Sequence, residues 1–222
     1  MTNDDLAGVI ERVREGTAFE NNIYIRSLLG NVALARVWFP DSSWGYPSEF
    51  GYSFYLVYSD AVCVAAFLWM GSDDLHVFVK EEFRGRGIMS NAMRNIILPH
   101  LFLTHETMTE QHAQFSAPES KRLLEQVGFA VVDETHAVFR KDQCAVVDFP
   151  TLIPKALPDK RKQELQKRFG YMAAMVEMTR FELESLDAAP QFCENLEYLR
   201  SQLRDHVTDM EDVQWDQNKR LG

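Results

Sequence analysis

At 222 residues, with 46% hydrophobic and 25% charged side chains, the chain has the apolar content for a sizeable core and the length for one large or two small domains. A net charge of −10 disfavours binding along a nucleic-acid backbone, which needs a basic face, and suits a small molecule or a protein amine better. Cys63, Cys144 and Cys193 are odd in number and widely spaced, so neither a disulfide framework nor a zinc knuckle is indicated and a reducing cytoplasm fits; acids at Asp4 and Asp5, and the lack of any run near the roughly 18 apolar residues of a membrane span, argue against a signal peptide or membrane segment.

From Asp4 to Gly16, the positions Leu6, Val9, Ile10 and Val13 recur at helical spacing, which predicts an amphipathic helix capped by Asn3 or Asp4. Asn22 to Phe39 is rich in β-branched and aromatic residues around Gly30-Asn31, as expected of one or two strands and a turn. Asp41 to Gly51 combines turn formers with Trp44, Tyr46 and Phe50, rings that either line a cleft or cover the edge of the core. Tyr52 to Tyr58 and Ala61 to Met70, joined by Ser59-Asp60, read as a hairpin, and Asp73 to Val79 adds a third antiparallel strand.

The stretch Asp73 to Met89, DDLHVFVKEEFRGRGIM, organises the rest. Leu75, Val77 and Val79 alternate with His76 and Phe78, so the strand carries bulk on both faces and is expected to be an inner one. From Ile88, the residues Ala92, Ile96 and Ile97 continue at helical spacing, with Pro99 expected to limit the helix. Arg84-Gly85-Arg86-Gly87 therefore sits where a helix begins. It combines free main-chain N–H groups, the positive end of the helix dipole and two guanidinium groups, which together suit a phosphate or pyrophosphate. A solvated loop is the competing reading of so short a motif.

His105, Glu106, Glu110 and His112 follow with no spacing that matches a metal site. Ser120 to Phe129, SKRLLEQVGF, predicts a short helix with Leu123, Leu124 and Val127 inward and Gly128 as its stop. Phe129 to Val132 and His136 to Arg140 then form a final hairpin. Pro150, Pro154 and Pro158 mark a linker. Beyond it, Leu165, Phe169, Met172, Val176, Thr179, Leu183 and Leu186, and then Phe192, Leu196, Leu199, Leu203, His206 and Met210, repeat at alternating steps of four and three. Two coiled-coil helices folded back as an antiparallel hairpin are expected, their seams buried within the chain or in a homodimer.

Taken together, RGRGIM and SKRLLEQVGF resemble the first and second motifs of the GNAT superfamily of acyl-CoA N-acyltransferases. The resemblance covers roughly residues 51–141. It implies an α+β fold, a mixed and mostly antiparallel sheet flanked by helices, with Ala113 to Ser116 as a short fifth strand. The acyltransferase domain then spans 1–147, the linker 148–159 and the helical hairpin 160–222. It also implies acetyl-CoA as cosubstrate: Val77, Phe78 and Val79 would offer main-chain groups to the pantetheine arm, and Arg84, Gly85, Arg86, Gly87, Ile88 and Met89 would cradle the pyrophosphate. Ser120 matches a serine common in the ribosomal-protein acetyltransferase branch. The chain differs from the family pattern at Met89, where a small residue is usual, at Leu124, where many members carry a tyrosine acid, and at Ala117, where an asparagine is frequent.

For the implied reaction, transfer of an acetyl group to a primary amine of an unidentified acceptor, His76 is the leading general base, since histidine exchanges protons most readily near neutrality. Glu49, Asp73 and Asp74 are the alternatives. A histidine packed against the core is the competing reading of His76. A second function class also stays open, a catalytically inactive GNAT-like domain that acts as an interaction module through its helical hairpin.

Overall fold

The computed structural model describes residues 3–16, 22–39, 51–150, 157–186 and 190–221. The aromatic loop with Trp44, Tyr46, Glu49 and Phe50, the centre of the proline-rich stretch and residues 187–189 lie outside them. The chain divides into two compact units, Met1–Pro150 and Thr151–Gly222.

The first unit begins with helix α1 (Asn3–Arg14), followed by strands β1 (Ile23–Leu29), β2 (Val32–Val37), β3 (Tyr52–Ser59), β4 (Val62–Trp69) and β5 (Leu75–Val79). These form a five-stranded antiparallel meander in the order β1-β2-β3-β4-β5. The β3–β4 turn uses Asp60 and Ala61, both at positive φ, one residue later than Ser59-Asp60. Alternation along β3 sends Phe54 and Leu56 to one face and Tyr55 and Val57 to the other. Both faces are covered: Leu6, Val9 and Ile10 of α1 pack on the first, and Met93, Ile97 and Leu98 on the second. Strands buried on two sides must be apolar nearly throughout, as YSFYLVYS and VCVAAFLW are.

Among the described residues strand β5 is an edge strand and not an inner one, because the meander ends with it. Bulk on both faces reports what covers a strand above and below, and carries no information about its lateral neighbours. A single helical path follows: α2 (Ile88–Ala92), a π-helical turn Met93–Ile97, and α3 (Leu98–Thr104). Pro99 does not end it. The N–H of Leu98 bonds back to the carbonyl of Met93, five residues earlier, and the widened turn makes room for a ring that would clash in regular α geometry.

A second sheet holds β6 (Glu110–Gln114), β8 (His136–Arg140) and the two-residue β7 (Ala130–Val131), in the order β6-β8-β7. Strand β6 thus starts three residues earlier than Ala113. Helix α4 (Pro118–Val127) precedes β7 and stops at Gly128. Gln111, fully buried, joins the two sheets: its Nε2 donates to the carbonyls of Gly71, Ser72 and His112, its Oε1 accepts from Trp69 Nε1 at 3.0 Å, and the N–H of His112 donates to Ser72.

In the second unit, α5 (Asp159–Ser185) and α6 (Pro190–Leu221) pair antiparallel. Gln166 bonds the Val207 carbonyl, and Arg180 meets Glu197 at the other end of the contact. The buried seam differs from the expected one. Ala173 on α5 and Cys193 on α6 are buried within it, and Phe169, Val176, Arg180, Leu183, Leu196, Arg200, Leu203 and Val207 are half-buried along it. Met172, Leu186, Phe192 and Leu199 are instead exposed. Two Glu-x-x-Arg pairs explain the shift: Arg180 reaches Glu197 at 3.3 Å and Arg200 reaches Glu177 at 3.2 Å, reciprocally across the hairpin. Both arginines occupy seam positions and turn the neighbouring apolar column outward.

Candidate active site at the free edge of strand β5

The N–H of Lys80 bonds the carbonyl of Val64, and the register pairs Phe78 with Ala66 and His76 with Leu68. In an antiparallel ladder those residues point their main-chain groups at the partner strand, so Val77 and Val79 point theirs the other way. No strand pairs with that edge among the described residues. Of the three residues expected to offer main-chain groups, Val77 and Val79 point theirs at the free edge, where Arg84 Nε takes the Val79 carbonyl, while Phe78 is committed to β4.

A 3₁₀ turn, Glu81–Phe83, leads from the strand to the glycine turn. Gly85 and Gly87 stand at φ 70° and 71°. That left-handed conformation is the reason for glycine at both positions, since an added Cβ at Gly85 would meet nothing within 4 Å and at Gly87 only Ser90 Oγ at 3.8 Å. The two arginines do different things. Arg84 Nε donates to the Val79 carbonyl at 3.1 Å, whereas the Arg86 guanidinium lies 5.1 Å from the centre of the Phe83 ring. The first turn of α2 closes with Asn91 N–H on the Gly87 carbonyl. The N–H groups of Ile88, Met89 and Ser90 thus precede the helical ladder. Met89 is buried in the core with Met93 and Leu124, so its long side chain does not occupy the turn.

Next to the turn is a cleft of about 580 Å³, lined by Ser90, Asn91, Arg94 and Asn95 on one wall and by Gln126 and Cys144 on another. Burial pushes the Cys144 thiol up to about 11, so it is a poor nucleophile there. The expected site does not include this polar wall. Its signal in the sequence is the cluster Asn91, Arg94 and Asn95, three polar residues on one face of an otherwise apolar helix.

His76 lies on the strand face that it shares with Phe78, toward α1, with Nε2 3.4 Å from Asp74 Oδ2. Asp74 and His76 thus come together, whereas Glu49 is outside the described residues. Leu124 is buried on the inner face of α4, so its side chain belongs to the core and not to the cleft. His105 stacks on Trp69 with ring centres 4.1 Å apart, and His112 lies 3.7 Å from Glu110. A buried pair that sequence reasoning missed lies behind the sheet, where the Tyr55 hydroxyl and His100 Nδ1 are 2.8 Å apart.

No protein-family model and no curated protein matches the chain. Solved structures with similar folds are GNAT-family acetyltransferases. One from Bacillus anthracis is 12% identical with a TM-score of 0.34, over 41% of this chain and 66% of that one, just under two thirds of its length. The Campylobacter jejuni N-acetyltransferase PseH, in complex with acetyl coenzyme A, is 17% identical with a TM-score of 0.33, over 40% and 68%. RimL, a ribosomal L7/L12 alpha-N-protein acetyltransferase, is 10% identical with a TM-score of 0.38, over 53% and 94%. No described helix is long and apolar enough to cross a membrane.

Proposed function

We propose that the chain is an acetyl-CoA-dependent N-acyltransferase that acts on a primary amine. The observation that carries this reading is the continuity of one unpaired strand edge with one glycine turn. Val77 and Val79 turn their main-chain groups to the free edge, where Arg84 Nε takes the Val79 carbonyl, and a few residues on, Gly85 and Gly87 open a helix whose first N–H groups face the same turn. A pantetheine arm along β5, a pyrophosphate at the turn and a nucleotide against Asn91 and Arg94 account for all three features.

In this reading the lone pair of a neutral amine attacks the thioester carbonyl carbon, the C–S bond breaks and coenzyme A leaves as the thiol. A single main-chain N–H on the free edge, at Val77 or Val79, stabilises the developing oxyanion. His76 takes the amine proton, and Asp74 beside it stabilises the resulting imidazolium. The leaving thiolate is protonated by water, since Leu124 has no proton to give. That same residue favours the second reading, an inactive domain that binds partners through its helical hairpin.

The deciding experiment is the thermal midpoint of the chain with and without acetyl-CoA, with desulfo and dephospho analogues as controls. Ligand at about 100 times its dissociation constant adds about 2.7 kcal/mol, or roughly 5–10 °C for a chain of this size. A rise of that order supports the enzyme reading and opens a screen of amines by thiol release. An unchanged midpoint at millimolar ligand rejects it in favour of the interaction module.

A further inference from the structure

One wall of the cleft beside the glycine turn has little to hold it. Gln143, Cys144 and Ala145 supply that wall, opposite Asn91 and Arg94 of the helical path. As far as Cys144 the main chain is fixed: a 3₁₀ turn covers Lys141–Gln143, Gln143 Oε1 accepts from the N–H of Arg140, and the N–H of Cys144 donates to the Lys141 carbonyl. Beyond it the fixing stops. From Ala145 to Pro150 no hydrogen bond joins the segment to any described residue, and Val146 is fully exposed. Of the side chains in this segment, Phe149 is the one that packs against the core around α3. Its ring meets the His100 ring edge to face, with centres 5.2 Å apart. His100 is in turn held from behind, since it is buried with Nδ1 2.8 Å from the Tyr55 hydroxyl and its ring edge-on to Tyr55. The buried pair, for which acyl transfer has no use, is thus a fixed platform for one ring of the segment.

A segment with no hydrogen bonds and a single packed anchor opens more readily than the sheets and helices around it. We infer that residues 145–150 are a strap, hinged at Cys144, that swings away from the cleft when Phe149 leaves His100, so that the Phe149–His100 contact controls access to the cleft. Under the proposed function the strap encloses the nucleotide end of acetyl-CoA, but the strap itself does not rest on that reading. Cys144 reports the opening, because it stands at the hinge and in the cleft wall, half-buried, while Cys63 on β4 is buried in the core. Burial holds the Cys144 thiol up at about 11, and release to solvent returns it toward its ordinary value, which increases the reactive thiolate.

Labelling of the full chain at neutral pH with an aromatic disulfide reagent, located by peptide mass spectrometry, tests this. Phe149→Ala labels Cys144 at least tenfold faster than the unmodified chain, with Cys63 labelling and far-UV helicity unchanged. Phe149→Leu, which keeps part of the contact, labels at an intermediate rate and reads the latch even if the alanine variant loses helicity. Adenosine 3′,5′-bisphosphate, the nucleotide end of coenzyme A, slows Cys144 labelling in the unmodified chain. Equal rates at Cys144 in the unmodified chain and both variants, or an equal acceleration at Cys63, overturn the strap. Acceleration at Cys144 without protection by the bisphosphate supports the strap and rejects the nucleotide reading of the cleft.

Discussion

Arg84 Nε donates a 3.1 Å hydrogen bond to the main-chain carbonyl of Val79, which fastens the glycine turn to the last residue of the strand edge that it adjoins. The two arginines of the turn are therefore unequal. Arg84 sets the path of the backbone, and Arg86, stacked over Phe83, is the one that meets the phosphate under the proposed function. A hydrogen bond to a charged group contributes about 1.5–3 kcal/mol. Arg86→Ala is expected to weaken acetyl-CoA binding roughly 10- to 100-fold, measured by calorimetry, with no change in the ligand-free thermal midpoint. Equal affinities in the two proteins would place the anion elsewhere.

The buried pair of Tyr55 and His100 makes stability depend on pH. Burial, with Arg26 nearby, holds the His100 imidazole down at about 4, and burial pushes the Tyr55 phenol well above its ordinary value. The unfolded chain binds a proton at His100 near 6.5 and the folded chain does not. Stability is complete above that value and falls as pH drops from about 6.5 toward 4, by on the order of 3 kcal/mol from this residue. Urea midpoints measured across the window should show the fall, and His100→Phe should flatten it.

Gln111 is the polar pin between the two sheets, and all its polar atoms are matched. Gln111→Leu removes the acceptor of the Trp69 indole and the side-chain donor to the Gly71 and Ser72 carbonyls, of which Ser72 keeps only the His112 N–H. A loss of roughly 2–4 kcal/mol in urea unfolding is expected. Hydrogen exchange at the His112 amide, which bonds the Ser72 carbonyl, should quicken more than exchange in β1 and β2. Uniform quickening would mean that the residue does not hold this junction.

Leu124 stands where a tyrosine acid would be expected, and it points into the core beside Met89. Leu124→Tyr should therefore overpack the interior, with a cost of about 1–3 kcal/mol, and should not raise the rate of acetyl transfer. A rate gain in that variant would show that position 124 reaches the reacting thioester after all.

Local chemistry made much of the first unit legible. Alternation in YSFYLVY and VCVAAFLW, the turn at Gly30-Asn31, and the change from period two to period four across RGRG all report contacts within a few residues of one another. The glycine turn is the clearest case, since two left-handed backbone positions can be inferred from two glycines. The buried partners Tyr55 and His100 were not legible, because a hydroxyl and an imidazole 45 residues apart leave no mark on periodicity.

The sequence by itself determined the kinds of elements, their order and the place of the turn, since these follow from side-chain spacing and backbone freedom along the chain. Only the tertiary structure decided that β5 is an edge, that Met89 faces inward, that Pro99 lies within a helix, and which column of each C-terminal helix is the seam. Each depends on what lies beside the residue in space. Spacing identifies an apolar stripe, but the two reciprocal arginine–glutamate pairs decide which edge of that stripe is buried.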